Sequence, residues 1–579
     1  MARTVAVGVQ DFSKIVEKDY FYIDKTNFIK EWWESGDEVT LITRPRRFGK
    51  TLNMSMVEQF FSVNYKNRGD LFENLAIWKQ EKYRALQGTY PVISLSFASV
   101  KERNYQMMRK KICHLLTKLF YTQHAFLLES GFLCEADVRY VKRISAEMDD
   151  SDASMAVCQL SEFLYRCYGK KAVILLDEYD TPMQEAYMNG YWDEASAFIR
   201  SLFHAALKTN MHMERALMTG ITRIAKESIF SGLNHLKVVT SVSLKYAAAF
   251  GFTEQEVADS LKEYGMSAQM GEVRAWYDGF KFGQCDNMYN PWSIINYLDE
   301  RRLGIYWANT SSNSLVGELL RKGSVKAKLL LEDLMNGKTI QVPMDEELVF
   351  SQLADDKGAV WSLLVAGGYL KIWQVTKNRK GNSEYVLGIT NRETRTVFDR
   401  MATGWFEDSE TDYNDFSEAL LSGDTARMNA YMNQIALETF SCFDTGSRPS
   451  QFRQPENFYH GFVLGLIADL RNLYRITSNR ESGIGRYDVM LEPVDKALDA
   501  GIIIEFKVQD TEREDTLLDT AGAAINQILA KKYPSMLEAA GMPMERIYIY
   551  GFAFSRKKVL VDGGCAADYA VKGRCLEHV

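Results

Sequence analysis

Apolar stretches alternate with helix-like stretches along the first 240 residues of the chain. The run Ala172–Leu176 (AVILL) contains no polar residue and ends in Asp177 and Glu178, a pattern typical of a strand buried on both faces. Similar runs at 39–43, 90–97 and 215–222 predict further strands, and helical periodicity fills 26–33 and 52–61. Strands that alternate with helices predict an α/β domain with a parallel sheet over residues 1–243.

The pattern changes after residue 243. Residues 244–443 read as a mainly helical middle region with one predicted hairpin near 378–381. Residues 444–457 are polar, contain two prolines and break the periodicity, so we interpret them as a linker. The pattern beyond it predicts a compact αβ domain over 458–579. Its predicted elements are a helix at 458–474, strands at 487–491 and 501–507, a helix at 517–532 and a strand at 547–554.

Composition narrows the class of protein. The chain has 579 residues, of which 46% are hydrophobic and 25% charged, enough for several ordinary globular cores. The net charge of −7 argues against a generally basic surface for nucleic acid. We find no apolar run of about 18 residues that would span a membrane, no signal-peptide pattern and no CxxC pair among the eight cysteines. These features predict a cytoplasmic protein with no membrane partner.

A phosphate-binding loop is predicted where the first strand meets the next helix. Thr43–Thr51 reads TRPRRFGKT, in which Arg46, Arg47 and Phe48 precede Gly49, Lys50 and Thr51. ATP binding needs backbone N–H groups at a helix start, a Lys for the terminal phosphates and a hydroxyl for Mg²⁺, in this order. Arg44 occupies the position of the first Gly in the full G-x-x-x-x-G-K-[ST] pattern, which it can do if its φ is not positive.

The acids after the buried strand predict the second half of a nucleotide site. Asp177 would hold Mg²⁺ and Glu178 would orient the attacking water. Thr219 and Thr222, with Arg223 beside them, are candidates for sensing and stabilising the terminal phosphate. The alternative for these three is strand-end threonines and a surface arginine. Asp180 has no predicted role beyond capping the helix that follows.

A second candidate site lies in the C-terminal domain. Asp488, Glu505 and Lys507 form D-x16-E-x-K, and the last two project from one face of a strand. Two carboxylates that hold Mg²⁺ or Mn²⁺, with a lysine near the attacking water, suit phosphodiester cleavage. The alternative is a salt bridge at a strand edge. His460, with Glu456 four residues earlier, is a candidate further metal ligand, and Gln527 and Tyr533 follow downstream.

Longer motifs carry two family resemblances. YFYIDKT, RPRRFGKTL, LLDEYDTP, TGITRIAKESIFSGLNHL and WYDGFKFG…YNPWSIINYL resemble the AAA-ATPase-like family of many bacteria, with a P-loop similar to that of archaeal-type ATPases of the STAND group. FYHGFVLGLI…GRYDVML…IIIEFK…INQILAKKY…GFAFSRKKV resembles the PD-(D/E)xK nuclease domain commonly fused to it. The resemblance implies a P-loop ATPase core and a restriction-endonuclease-like αβ domain.

The same resemblance implies roles for particular residues. Lys50 and Thr51 would bind phosphate and Mg²⁺, and Asp177 with Glu178 would form the Walker-B pair. The nuclease triad implied is Asp488, Glu505 and Lys507. The matches at His460 and Gln527 resemble the RecB-like branch of the nucleases.

The leading hypothesis is that ATP binding and hydrolysis switch or drive a metal-dependent nuclease that acts on DNA. The competing hypothesis is an ATP-dependent switch or scaffold whose C-terminal domain binds nucleic acid or a protein partner without cleavage. A third hypothesis is that the ATPase half only holds nucleotide structurally.

The sequence leaves the oligomeric state open, and a homo-oligomer is one possibility, because Arg223 could act within its own chain or across an interface. From residue 451 onward the sequence contains sixteen Lys and Arg and eighteen Asp and Glu. This balance does not predict a broad basic surface for DNA.

Overall fold

The computed structural model describes residues 2–569 except 225–228, 231–232, 308–324, 336, 345–357, 379–381, 399–413, 440–462, 464–465, 468–469, 471–472, 479–480, 483–484, 487, 511–512 and 556–557. The chain divides into two compact units, Met1–Phe398 and Asp399–Val579. The predicted linker at 444–457 lies outside the described residues, as does most of the helix predicted at 458–474.

The N-terminal unit is built on a five-stranded sheet in which every pairing is parallel. Its strands are β1 (Val39–Thr43), β2 (Val92–Ser96), β3 (Ala172–Asp177), β4 (Met213–Gly220) and β5 (Leu236–Val239). This confirms the predicted parallel α/β sheet, although β5 was missed. The order β2-β3-β4-β1-β5 inserts β4 between β1 and β3. The carboxyl ends of the three central strands therefore meet at one edge of the sheet.

Helices cover this sheet because their apolar sides pack on the continuous apolar strands. Trp32, Phe60 and Phe61 lie fully buried in the same core cluster as Val173 of β3 and Leu217 of β4. The helices of the first 243 residues are Phe12–Glu17, Asn27–Glu34, Lys50–Phe61, Glu81–Arg84, Tyr105–Lys118, Glu135–Arg143, Asp150–Tyr168, Thr181–Met188 and Trp192–Phe203.

The middle region is mainly helical, as predicted, but it also contains two three-stranded sheets, of which the pattern predicted only one hairpin. Its helices within the N-terminal unit are Glu254–Glu263, Met270–Tyr277, Pro291–Glu300, Val325–Met335 and Ala359–Ala366. One sheet contains β6 (Phe252–Thr253), β7 (Asp278–Phe282) and β8 (Cys285–Tyr289), and the other β9 (Ile340–Pro343), β10 (Leu370–Lys377) and β11 (Ser383–Ile389). Strands β10 and β11 pair antiparallel around the predicted hairpin, whose turn at 379–381 is not described.

The C-terminal unit has a five-stranded mixed sheet in the order β12-β15-β16-β17-β18. Its strands are β12 (Tyr474–Ser478), β15 (Val489–Pro493), β16 (Gly501–Val508), β17 (Ile547–Ser555) and β18 (Lys558–Cys565), and a small hairpin, β13 (Glu481–Ser482) with β14 (Gly485–Arg486), precedes β15. β16 and β17 are parallel, and the other neighbours are antiparallel. The three predicted strands are present, whereas β12 and β18 were missed. Helices Leu517–Ala530 and Pro534–Ala539 also belong to this unit.

Two helices from the end of the predicted middle region pack within the C-terminal unit. Asn414–Ser422 and Thr425–Thr439 share a buried core with β16 and β17. Asn429 donates to Val561 O at 2.7 Å and accepts from Val561 N–H at 2.8 Å. One turn later, Asn433 makes the same pair of bonds with Val559, at 2.7 and 3.1 Å. The two side-chain amides thus form hydrogen bonds with the backbone N–H and C=O groups of β18 that face away from β17.

Candidate functional site

The predicted P-loop connects the end of β1 to the helix that begins at Lys50. Arg47 and Gly49 adopt positive φ angles, 66° and 78°, and turn the backbone toward the helix start. A side chain is strained at such an angle, and a Cβ built on Gly49 would meet nothing within 4 Å. The loop therefore leaves open space at its helix N-terminus, where backbone N–H groups favour an anion.

Arg44 is buried behind the loop. Its Nη1 donates to Thr43 O at 2.8 Å and to Thr240 O at 2.9 Å, and its guanidinium lies 4.6 Å from the centre of the Phe282 ring. Burial lowers the pKa of this guanidinium. Arg44 is not among the residues with a positive φ, which is the condition under which it can replace glycine here.

Residues of the middle region contact the P-loop. The Phe48 ring is buried with its centre 4.8 Å from Phe280 and 5.2 Å from Phe282. The Arg47 guanidinium lies 4.0 Å from the centre of the Trp292 ring. Arg46 O accepts from Asn290 Nδ2 at 3.1 Å.

A cavity of about 220 Å³ adjoins the P-loop at Pro45. Its wall includes Pro45 of the P-loop, Phe280 and Phe282 of β7, and Lys371 and Trp373 of β10. The aromatic partners of Phe48 therefore also border this cavity.

Lys50, Thr51 and Asp177 meet where the P-loop reaches the end of β3. Lys50 is buried, and its Nζ donates to Arg44 O at 3.0 Å and Pro45 O at 2.8 Å. Thr51 Oγ1 donates to Asp177 Oδ2 at 2.8 Å, and Thr219 Oγ1 donates to Asp177 Oδ1. The structure thus brings a hydroxyl, a carboxylate and an ammonium group together.

Burial sets the electrostatics of this cluster. It raises the pKa of the Asp177 carboxyl, against the hydrogen bonds from Thr219 and Thr51. It lowers the pKa of Lys50, against the negative charges of Glu178, Asp177 and Asp180. Burying a charged side chain is costly unless a group of opposite charge lies beside it. A cation beside Asp177 and an anion beside Lys50 would each reduce that cost.

Glu178 follows Asp177 in a left-handed backbone conformation, with φ of 51°. Its carboxylate accepts from Thr181 Oγ1 at 3.3 Å, and its charge acts on Lys50 and Arg47. Glu178 therefore lies within electrostatic range of the P-loop, as its predicted role requires.

Asp180 and Tyr179 were not predicted to contribute to the site. Asp180 Oδ2 accepts from Thr222 N–H at 2.8 Å and from Thr222 Oγ1 at 2.7 Å. The Thr222 hydroxyl, predicted to sense phosphate, is thus engaged with Asp180. The sequence signal available for the role of Asp180 was its position three residues after Asp177, at the end of the apolar strand.

The second candidate site lies on β16 and its neighbours. Asp488, just before β15, accepts at Oδ2 from Phe506 N–H of β16 at 2.9 Å. Glu505 is 3% exposed and accepts at Oε1 from Gln527 Nε2 of the helix Leu517–Ala530. Lys507 projects from the same face of β16 as Glu505 and is half-buried. Gln527 thus contacts the candidate triad directly.

Tyr533 is buried close to both carboxylates. Burial raises the pKa of its hydroxyl, and the charges of Glu505 and Asp488 raise it further. His460 and Glu456 lie outside the described residues. Within the described ranges, no group of three or more His, Cys, Asp and Glu residues could hold a metal ion. The oxygen-only pair Asp488 and Glu505 matches the ligand preference of Mg²⁺, and further ligands would have to come from elsewhere.

No helix in the part of the chain that the structure describes is long and apolar enough to cross a membrane.

Comparison with known proteins adds two family matches and one relative. Residues 6–230 match the family model described as "Predicted AAA-ATPase", and residues 454–563 match that of the PD-(D/E)XK nuclease superfamily. An "Uncharacterized protein in vnfD 5'region" from Azotobacter chroococcum mcd 1 is 26% identical over 377 residues. The match covers 65% of this chain and 65% of the relative.

Proposed function

We propose that this chain, which joins an AAA-ATPase-like domain to a C-terminal domain of the PD-(D/E)XK nuclease superfamily, hydrolyses ATP and uses the nucleotide state to control Mg²⁺-dependent cleavage of DNA. The observation that carries the ATPase half is the 2.8 Å bond from Thr51 to Asp177, which joins the P-loop hydroxyl to the acid of β3. In P-loop ATPases this pair of groups holds Mg²⁺. We place the protein in the bacterial cytoplasm.

The residues of the N-terminal site have complementary roles in this proposal. Lys50, now bonded to carbonyls of its own loop, supplies positive charge to the terminal phosphates. Mg²⁺ bound at Thr51 and Asp177 would supply further neutralisation of phosphate charge. Glu178 orients the water that attacks the terminal phosphorus, and Arg223 stabilises the charge that develops there. The bond from this phosphorus to the leaving oxygen of ADP breaks as the new P–O bond forms, and the proton lost by the attacking water leaves with the phosphate product.

The C-terminal site would cleave a phosphodiester bond. Asp488 and Glu505 would hold the metal, with Mn²⁺ as an alternative to Mg²⁺, and His460 is the proposed further ligand. The metal would supply Lewis acidity at the scissile phosphate. The Lys507 ammonium stabilises negative charge near the attacking water. Gln527 keeps the Glu505 carboxylate in one orientation through its hydrogen bond.

ATP hydrolysis by the purified full chain tests the first half. We expect Lys50→Ala to remove hydrolysis while leaving the fold intact, as judged by circular dichroism. Lys262→Ala is the matched control, because Lys262 is an exposed lysine of the same unit. Hydrolysis that persists in Lys50→Ala would refute the P-loop assignment.

Cleavage of circular and linear DNA with Mg²⁺ or Mn²⁺, with and without ATP, tests the second half. We expect cleavage to disappear in Glu505→Ala and in Lys507→Met, and to persist in Glu538→Ala, which changes an exposed glutamate of the same unit. Loss of the ATP effect in Lys50→Ala would establish coupling. Absence of cleavage by the wild-type chain under every condition would favour the switch or scaffold.

A further inference from the structure

The buried carboxylate of Asp180 holds the chain where it leaves β4. Its Oδ2 accepts hydrogen bonds from the backbone N–H groups of Ile221 at 3.1 Å and Thr222 at 2.8 Å, and from the Thr222 hydroxyl at 2.7 Å. Gln184, one turn into the next helix, donates to the same oxygen at 2.9 Å. Asp180 is 1% exposed. Burying this side chain is costly, and the four converging donors offset that cost.

Tyr179 holds the same segment through its hydroxyl. This group donates to Thr222 O at 2.8 Å and accepts from Ile224 N–H at 3.2 Å. The Tyr179 backbone N–H donates to Thr219 O at 3.0 Å, and the ring is fully buried. Thr222 and Ile224 are the neighbours of Arg223 in the chain. The backbone is therefore fixed on both sides of Arg223.

The same short segment carries the acid that bonds the P-loop. Asp177 accepts from Thr51 and Thr219, and it is separated from Asp180 by only two residues. Hydrogen bonds thus run from the P-loop through residues 177–180 to both neighbours of Arg223. A displacement of Asp180 or Tyr179 would move the base of Arg223 relative to the phosphate site.

We propose that Asp180 and Tyr179 are positioning residues that fix Arg223 against the phosphate site and so determine the rate of ATP hydrolysis. This inference rests on the proposed ATPase function and deepens it. Displacing a group by about 1 Å can lower a rate by about a hundredfold, and an arginine that stabilises transferred phosphate charge contributes about a thousandfold or more. Asp180 and Tyr179 act through Arg223, so their loss lowers kcat more than it raises KM.

A double-mutant cycle on ATP hydrolysis by the full chain tests the inference. We expect Asp180→Ala to lower kcat by about 10- to 100-fold and to change KM by less than about threefold. Asp180→Asn should retain more activity, because an amide oxygen can still accept the backbone bonds. Tyr179→Phe should lower kcat by about tenfold. In an Arg223→Ala background, Asp180→Ala should add less than about a threefold further loss, because its effect passes through that arginine.

Asp193→Ala is the matched control, since Asp193 is an exposed aspartate in the first turn of a nearby helix, and its kcat should equal that of the wild type. Full additivity of the Asp180 and Arg223 changes would overturn the inference, as would an unchanged kcat in Arg223→Ala. If Asp180→Ala does not fold, the cycle is run with Tyr179→Phe, which removes a single oxygen. A wild-type chain without ATP hydrolysis would instead refute the proposed function.

Discussion

Gly551 of β17 lies beside Glu505 of β16 in the parallel register and leaves no room for a side chain. A Cβ at this position would come within 2.3 Å of Ala521 O and 3.1 Å of Ala524 Cβ, both on the helix Leu517–Ala530. The backbone carbonyl would have to withdraw by about 0.7 Å to reach the 3.0 Å limit of real contacts. Gly551→Ala must therefore lift this helix from the sheet.

The expected cost is that of overpacking a core, about 1–3 kcal/mol. For a domain of 150–250 residues each kcal/mol lowers the melting temperature by about 2–4 °C. The helix also carries Gln527, so its displacement should break the bond to Glu505. The rate of DNA cleavage by Gly551→Ala should therefore fall by more than the decrease in the fraction of folded protein explains.

Gly522→Ala on the same helix is the matched control. A Cβ there meets nothing within 4 Å, and alanine in a helix interior is more favourable than glycine by about 0.5–1 kcal/mol. The two substitutions add the same methyl group and should shift the C-terminal unfolding transition in opposite directions. Calorimetry, with hydrogen exchange on residues 517–530 to identify that transition, measures both. Equal shifts, or an unchanged Gly551→Ala, would show that the helix does not rest on β17 as described.

Three further variants test other parts of the structure. Joint replacement of Asn429 and Asn433 by alanine removes four hydrogen bonds to β18, so the free energy of unfolding should fall by about 2–5 kcal/mol. The exposed strand edge should then cause aggregation, measured by light scattering. A monodisperse double variant would contradict this. Phe48→Ala empties an aromatic contact and should cost about 3–5 kcal/mol and weaken binding of a fluorescent ATP analogue, whereas unchanged affinity would mean that the middle region does not shape the P-loop. Thr51→Val should lower the Mg²⁺ affinity of the ATP complex, read from the Mg²⁺ dependence of hydrolysis, and an unchanged dependence would separate Thr51 from the metal.

Where one physical signal dominates, the sequence predicted the structure closely. The residues 39–43 match β1, because five consecutive buried positions leave no alternation to misread. β18 was missed because its residues Asp562, Gly563 and Gly564 resemble a turn. They form a strand because β17 supplies one set of backbone bonds and helical asparagines supply another at its start. The asparagines lie more than 100 residues away in the chain, beyond the reach of local patterns.

In the candidate nucleotide site, too, local sequence patterns predicted some positions, whereas others depend on distant residues. The strand–loop–helix signature predicted that Lys50 and Thr51 lie where the loop meets the helix. Only the strand order brings Thr219 to Asp177, since β4 lies between β1 and β3. The position of Arg44 depends on carbonyls of residues 240 and 246, which no spacing rule connects to it. Asp180 was interpreted as a helix cap because its partners Ile221 and Thr222 are about forty residues distant.

The contacts of Phe48 connect the P-loop to the wall of the neighbouring cavity. Phe48 packs on Phe280 and Phe282, which also border the cavity of about 220 Å³, so a change in that wall would alter the packing behind the proposed nucleotide site. Thermodynamic linkage makes such an effect reciprocal. A molecule that entered the cavity and changed the affinity for ATP tenfold would have its own affinity changed tenfold by ATP, about 1.4 kcal/mol of coupling free energy. Under the proposed function, ATP binding at the P-loop and ligand binding in the cavity would therefore influence each other.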